Sequence, residues 1–296
     1  MKPIHTPVLL EEAIQYLNLG PEATFIDATL DGGGHTLEIL KRFPGIKVLG
    51  IEWDPVEFKE FMVKINDQSY EQLTTVNDSY VRIAEIAKTH DVSPDAVLFD
   101  LGVSSWHYEH SDRGFSFQRD EVLDMRFNPQ VQTRTAAEVM NTSDATALEH
   151  ILALYGQEQF AKEIAHGIVQ VRSEQPILTT LQLVKIIEDA VPAWYRRKKI
   201  HCATKTFQAF RIAVNDEIGS IRAGVSAAID ILNPGGRLAV ISFHGIEDKT
   251  VREVFRARAT EKSIQWVTKA TIRPTWEEIK QNPRARSAKM KIIKKL

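Results

Sequence analysis

Residues 25–28 and 48–51 are short apolar runs, while the stretch between them carries apolar side chains at helical spacing, at Leu37, Ile39, Leu40 and Phe43. That change of period predicts strand, helix, strand within a parallel sheet. The rhythm extends on both sides. Residues 6–17 read as a helix with Thr6 as N-cap and Pro7 in the first turn, and residues 55–65 as an amphipathic helix. Residues 74–76 read as a strand, 81–88 as a helix, and 96–101 as a fourth buried strand ending on an acid, Asp100.

The pattern then breaks. Between residues 111 and 201 no strand period appears, and helical segments are expected at 135–140, 144–154, 157–171 and 180–190. Alternation resumes with a long helix over 207–232, stopped by Asn233-Pro-Gly-Gly236, then a strand at 237–243, a helix at 247–258 and weaker strands at 265–268 and 290–293. The expected fold is therefore α/β, a Rossmann-like, seven-stranded and mostly parallel sheet. Residues 1–110 and 207–296 would form the sheet domain, and 111–206 an inserted all-helical domain. Ligands of such sheets bind beyond the carboxyl ends of the strands. Asp27, Glu52, Asp78, Asp100 and residues 242–244 should share that rim.

The first strand runs into Gly32-Gly33-Gly34, where glycines permit positive φ and let a ligand approach without meeting a Cβ. Glu52, twenty positions after Gly32, falls where a carboxylate accepts hydrogen bonds from ribose hydroxyls. An adenosine cofactor is implied. The dinucleotide fingerprint asks for a glycine at its sixth position, where Leu37 stands, so a nicotinamide or flavin reading weakens. S-adenosylmethionine carries no pyrophosphate, and Asp27 and Asp31 can meet its ammonium group. A ligand-free tight turn is the bland alternative.

Composition narrows the classes further. The chain has 296 residues, 43% apolar and 26% charged, which suits one large domain or a domain with an insertion. No apolar run approaches the length of a membrane span and the N-terminus has no signal-peptide character, so a cytoplasmic protein is expected. One cysteine, Cys202, excludes a disulfide framework and a cysteine-based zinc cluster. A net charge of -2 supplies no global attraction to nucleic acid, which leaves local patches. Arg196, Arg197, Lys198 and Lys199 form one beside Trp194 and Tyr195, and Arg284, Arg286, Lys289, Lys291, Lys294 and Lys295 form another. Either could hold phosphates, and either could be a solvated helix end or tail.

Eight blocks occur in order: His5-Thr-Pro-Val-Leu-Leu10, Asp27-Ala-Thr-Leu-Asp-Gly-Gly-Gly-His35, Asp100-Leu-Gly-Val-Ser-Ser105, Asp112-Arg-Gly-Phe-Ser-Phe117, Leu123-Asp-Met-Arg126, Phe207-Gln-Ala-Phe-Arg-Ile212, Ile241-Ser-Phe-His244 and Asn282-Pro-Arg-Ala-Arg-Ser287. Together they make nearly the whole chain resemble the bacterial small-subunit ribosomal RNA (cytidine N4)-methyltransferase family, also called MraW or RsmH. The resemblance implies a class I S-adenosylmethionine-dependent methyltransferase domain interrupted by a helical domain for substrate recognition. It implies methylation of a cytidine N4 in the decoding region of 16S ribosomal RNA. Its partner would be that RNA in an assembled or nearly assembled subunit, with no membrane and with a homodimer permitted. Cofactor contacts carried over by resemblance are Gly33, Gly34, His35, Glu52, Tyr80, Asp100 and His107. Glu52 stands where aspartate is usual, Asp31 where glycine is common and Trp106 where proline is common, while Lys205 and Gly245 replace an arginine and a serine.

Cytosine N4 is a poor nucleophile because its lone pair is delocalised into the ring. An acceptor for the amino hydrogens, placed in line with a sulfonium methyl, would localise it by positioning and electrostatics. Asp100, Ser104 and Ser105 occupy the place where amino-methyltransferases carry such a group, and Asp100 can face either the base or the cofactor. Cys202 lies outside this loop, which disfavours the covalent chemistry of ring-carbon methylation. His244 reads as a hydrogen-bonding histidine at a strand end rather than a proton acceptor, and His35 as a cofactor contact rather than a metal ligand. No metal is expected. Phe115 and Phe117 could stack on a flipped base or pack the insertion, and Tyr80 is expected near the adenine. A non-catalytic assembly factor and a nicotinamide-dependent dehydrogenase are the rival classes.

Overall fold

The computed structural model describes residues 7–66 and 70–296. Its seven strands are β1 (Thr24–Asp27), β2 (Lys47–Glu52), β3 (Leu73–Asn77), β4 (Ala96–Asp100), β5 (Arg237–Ser242), β6 (Ile264–Trp266) and β7 (Lys289–Lys295). They form one sheet in the order β3-β2-β1-β4-β5-β7-β6, all parallel except β7, which runs antiparallel to both its neighbours. This is the Rossmann-like, seven-stranded and mostly parallel sheet expected from the alternation. The chain adds β2 and β3 on one side of β1 and then crosses to β4 on the other. A crevice opens at such a reversal of strand order, beyond the carboxyl ends of β1 and β4.

Period-two alternation sends successive side chains to opposite faces of the sheet. Phe25, Val48, Leu98 and Ala239 join one core with Ala13 and Leu17 of helix Leu10–Leu17 and Ile39 of helix Gly34–Arg42. Ile26, Leu49, Phe99 and Val240 join the other, covered by helices Ile83–Thr89, Glu217–Ile231 and Gly245–Thr260. By the same parity Asp27, Glu52 and Asp100 project to the first face. Asp27 is level with Gly50 and Leu98, so Glu52 and Asp100 stand one repeat further out on either side of it.

The chain divides into two compact units, Met1–Ser104 with Ile218–Leu296, and Ser105–Glu217. Within the second, helices Ala136–Thr142, Ala145–Gly156, Ala161–Arg172, Thr180–Ala190 and Thr204–Asn215 are joined by loops, with an isolated bridge between Val122 and Thr179. Side chains such as Leu148, Ile164, Leu183 and Phe210 are fully buried.

Three expected elements need correction. The long helix over 207–232 is two helices, Thr204–Asn215 and Glu217–Ile231, broken where Asp216 takes the left-handed conformation at φ 44°. Helical periodicity continues across the break, which hid it. Buried Asn215 marks the spot: its carbonyl accepts from the Phe127 N–H at 2.8 Å and its amide donates to the Met125 and Arg211 carbonyls at 2.7 and 2.9 Å. The return to the sheet unit consequently falls at 217/218 rather than 206/207. The first helix starts at Leu10, after left-handed Leu9, whose N–H donates to Glu278 at 2.7 Å; the expected Thr6 cap lies outside the described residues. The segment expected to be a helix over 81–88 opens with a 3-10 turn, Tyr80–Arg82, before helix Ile83–Thr89.

Candidate active site

Backbone ends and side-chain hydroxyls hold the carboxylates at the crevice. Asp27 accepts from the Thr36 hydroxyl at 2.7 Å and the Thr29 N–H at 3.3 Å, and is 1% exposed. The Thr29 hydroxyl in turn accepts the Asp100 N–H at 2.7 Å, tying β1 to β4. One oxygen of Asp100 lies 3.8 Å from His35 Nδ1. The other, Oδ1, is buried and has no hydrogen-bond partner among the described residues. A buried acceptor left bare costs free energy, which a donor from outside the protein would recover.

Glu52 uses its extra methylene to reach back to the loop. Its Oε2 accepts from the Asp31 N–H at 2.8 Å and its Oε1 from the Asp54 N–H at 2.7 Å. The longer arm therefore braces the glycine loop, which an aspartate at this position could not do over the same span. Beside it, Glu57 accepts from the Ser104 hydroxyl at 2.9 Å. Carboxylate oxygens of Asp31, Glu52 and Glu57 lie within 4.8 Å of one another.

This concentration of acids raises their proton affinity. Burial pushes Asp27 up to about 7 against the hydrogen bonds from Thr36 and Thr29. Burial also pushes Glu52 up to about 7, with repulsion from Asp54 and Asp27 adding to it and the Asp54 and Asp31 N–H groups opposing it. Asp100 is held well above the carboxylate range by burial, then by Asp27 and Glu247. Asp31 is likewise raised by burial, then by Glu57, Glu52, Asp100 and Asp27. Among the described residues no lysine or arginine lies within ion-pair distance of Asp27, Asp31, Glu52 or Asp100. Such a crevice suits a cationic ligand with hydrogen-bond donors.

The glycine loop packs against helix Pro55–Ile65. Gly33 does take positive φ, at 75°, and a Cβ there would lie 2.2 Å from the Phe61 ring, so its missing side chain makes room for the protein itself. Gly34 opens helix Gly34–Arg42. Asp31, where glycine is common, is itself left-handed at φ 46°. Aspartate is among the residues that tolerate this conformation. The next residue into the helix, His35, is 4% exposed, with Nε2 3.0 Å from the Val8 carbonyl. Its Nδ1 faces Asp100 from 3.8 Å, beyond hydrogen-bond distance, and the ring is buried rather than presented to solvent.

The remaining candidates divide between the two units. Tyr80 packs its ring edge-on against Phe99 at 5.4 Å and so closely on Gly224 that a Cβ there would lie 2.5 Å from the ring. Ser104 closes the first unit with its hydroxyl on Glu57. Ser105 and His107 belong to the second unit, in helix Ser105–Glu109. His107 is buried there in an aromatic cluster, edge-on to Trp106, Phe115 and Phe127. Phe115 is 5% exposed and stacks on Phe127, so packing accounts for it; Phe117 stacks on His201 at 4.9 Å. His244 is an N-cap, with Nδ1 accepting from the Glu247 N–H at 3.3 Å, the strand-end role expected of it.

Sequence reasoning missed Thr29, Thr36 and Glu57. The threonines sit inside a motif whose acids drew attention first. Glu57 falls in the first turn of helix Pro55–Ile65 behind its Asp54 cap, where an acid ordinarily serves only the helix dipole.

Comparison with known proteins finds similar chains over the whole length. A family model described as the MraW methylase family matches residues 2–296. The ribosomal RNA small subunit methyltransferase H of Persephonella marina is 40% identical over 293 residues, covering 99% of each chain. Its namesake from Halothermothrix orenii is 38% identical, covering 99% of this chain and 98% of its own. A solved rRNA methylase from Streptococcus thermophilus aligns over 100% of this chain and 98% of its own, with 11% identity and a TM-score of 0.46.

Proposed function

Because the chain belongs to the MraW methylase family, we propose that it transfers a methyl group from S-adenosylmethionine to the N4 amino group of a cytidine in the decoding region of small-subunit ribosomal RNA. The observation that carries this reading is the bare, buried Asp100 Oδ1 at the strand-order reversal, within a crevice of acids. The acids fit a cofactor with a sulfonium and an ammonium, and they would repel the pyrophosphate of a dinucleotide.

When bound, the cofactor supplies an electrophilic methyl group on sulfur. The protein's part is to orient the amine and handle its proton. Asp100 Oδ1 accepts one N4 hydrogen, which turns the nitrogen lone pair out of conjugation and toward the methyl carbon. The cofactor would supply the methyl and carry away the sulfur leaving group, and Asp100, in its carboxylate form, would receive the proton that the nitrogen sheds. Thr29 is a positioning residue for Asp100, through the backbone N–H that its hydroxyl accepts. Ser104 acts through Glu57, and Glu52 braces the loop and would accept from the ribose hydroxyls with its remaining lone pairs. The helical unit Ser105–Glu217 recognises the RNA. The substrate is the assembled or nearly assembled subunit, because the chain's own net charge is only -2.

A pH effect follows. Asp27 and Glu52 have folded-state pKa values raised to about 7, so their stabilising contribution is full below about 4 and is lost as pH rises through 7. The ligand-free protein is expected to melt at lower temperature at pH 8 than at pH 5.5. The ionised acids then favour the cation, so the preference for S-adenosylmethionine over uncharged-sulfur S-adenosylhomocysteine should grow by about tenfold between pH 5.5 and 8. Calorimetric titration with both ligands measures it, and a pH-independent ratio would contradict the acid-crevice account.

The function itself is tested by mass mapping of ribosomal RNA from cells lacking the protein. Loss of an N4-methylcytidine, restored by re-expression, is the expected result. An unchanged RNA would point to a non-catalytic assembly factor.

A further inference from the structure

A second, basic groove lies on the sheet unit away from the acid crevice. It has a volume of about 730 Å³ and is walled by helix Gly245–Thr260, by β6 with the residues that follow it, and by β7. Arg252, Arg256, Lys269 and Lys291 line it, Trp266 forms an aromatic side, and no carboxylate is among its lining residues.

The arrangement follows from two periodicities. Arg252 and Arg256 are one turn apart and share a helix face. In β7, Lys289, Lys291 and Ile293 share the sheet face that packs against this helix, as Ile293 does in the core. Of the C-terminal run that reads as a basic tail, Lys291 thus faces the groove from within β7. Asp248 partly neutralises the inner end, at 2.6 Å from Lys291 and 3.4 Å from Arg252. It also lies 3.8 Å from Lys289, opposite Ser242 at the carboxyl end of β5. Arg256 and Lys269 have no acidic partner within ion-pair distance among the described residues. Surplus positive charge therefore sits at the outer end, and the row of cations runs inward toward the rim that carries the active crevice.

We propose that this groove holds the phosphodiester backbone of the RNA substrate, with Arg256 and Lys269 each neutralising a phosphate and Trp266 offering a face to a base or ribose. The proposal deepens the methyltransferase reading and rests on it. It assigns RNA contact to the sheet unit itself, in addition to the helical insertion. Charge complementarity is the argument: a chain with net charge -2 gathers cations without a lining acid here.

The test compares the full-length protein with R256Q/K269Q, using a transcript of small-subunit ribosomal RNA and assembled subunits as probes. Removing two phosphate contacts should weaken transcript binding about tenfold or more and lower the slope of log affinity against log salt by about 1.5 to 2. Melting temperature and S-adenosylmethionine affinity should not change. Unaltered affinity and slope for the transcript would overturn the proposal. Weakened binding to subunits alone would overturn it too, and assign the groove to an acidic protein surface. If the wild type binds the transcript through these residues yet leaves no N4-methyl mark on assembled subunits, the activity reading fails while the groove stands.

Discussion

Asp100→Asn is expected to reduce methyl transfer by about 10²- to 10⁴-fold, the range over which a positioned acid–base group contributes. Asparagine preserves the shape and can still accept an N4 hydrogen through its carbonyl, but it cannot receive the proton that the nitrogen must shed. It also removes one of the acids that repel one another at the crevice, so the fold should not suffer: Asp100 is raised by burial, Asp27 and Glu247 in the wild type. Single-turnover transfer to small subunits, with cofactor affinity measured separately by calorimetry, distinguishes a chemical loss from a binding loss. A rate within about threefold of wild type would remove Asp100 from the chemistry assigned to it.

Gly33→Ala is expected to destabilise the protein by about 2 to 5 kcal/mol. Placing alanine in the left-handed region costs about 1 to 2 kcal/mol, and overpacking a closed site about 1 to 3 more. Both apply here, because φ is 75° and the new methyl would meet the Phe61 ring at 2.2 Å. The loop is fastened on either side, by the Gly33 N–H on the Leu30 carbonyl at 2.7 Å and by the Asp31 N–H on Glu52. Displacing it should therefore also weaken cofactor binding. Urea melts of the single variants and of G33A/F61A check the cause: truncating the ring relieves the clash, so the double variant should lose less stability than the sum of the singles. Additive losses would mean that Phe61 is not what the glycine accommodates.

The sheet was legible from the chain because its signals are local. Each strand of the first half is a short apolar run, and the alternation of Phe25, Asp27 and of Leu98, Asp100 already carries the parity that turns both acids to one face. What was not legible depends on pairs far apart in sequence. Leu9 meeting Glu278 sets the start of the first helix, and Phe61 meeting Gly33 decides why that glycine is required. Asn215 breaks a helix by bonding to backbone some ninety residues earlier, at Met125, which no periodicity reveals. The site was partly legible for a related reason. Its acids announce themselves at strand ends, whereas Thr29, Thr36 and Glu57 act by hydrogen bonds that only the folded register creates. His107, carried over by resemblance as a cofactor contact, packs its ring against Trp106, Phe115 and Phe127 of the helical unit, neighbours that no local pattern announces.

The most direct measurement incubates the purified protein with methyl-labelled S-adenosylmethionine and small ribosomal subunits, then digests the RNA to nucleosides for mass analysis. The account predicts labelled N4-methylcytidine with the wild type and almost none with Asp100→Asn. Label on the cytosine ring carbon, or none in RNA at all, would contradict it.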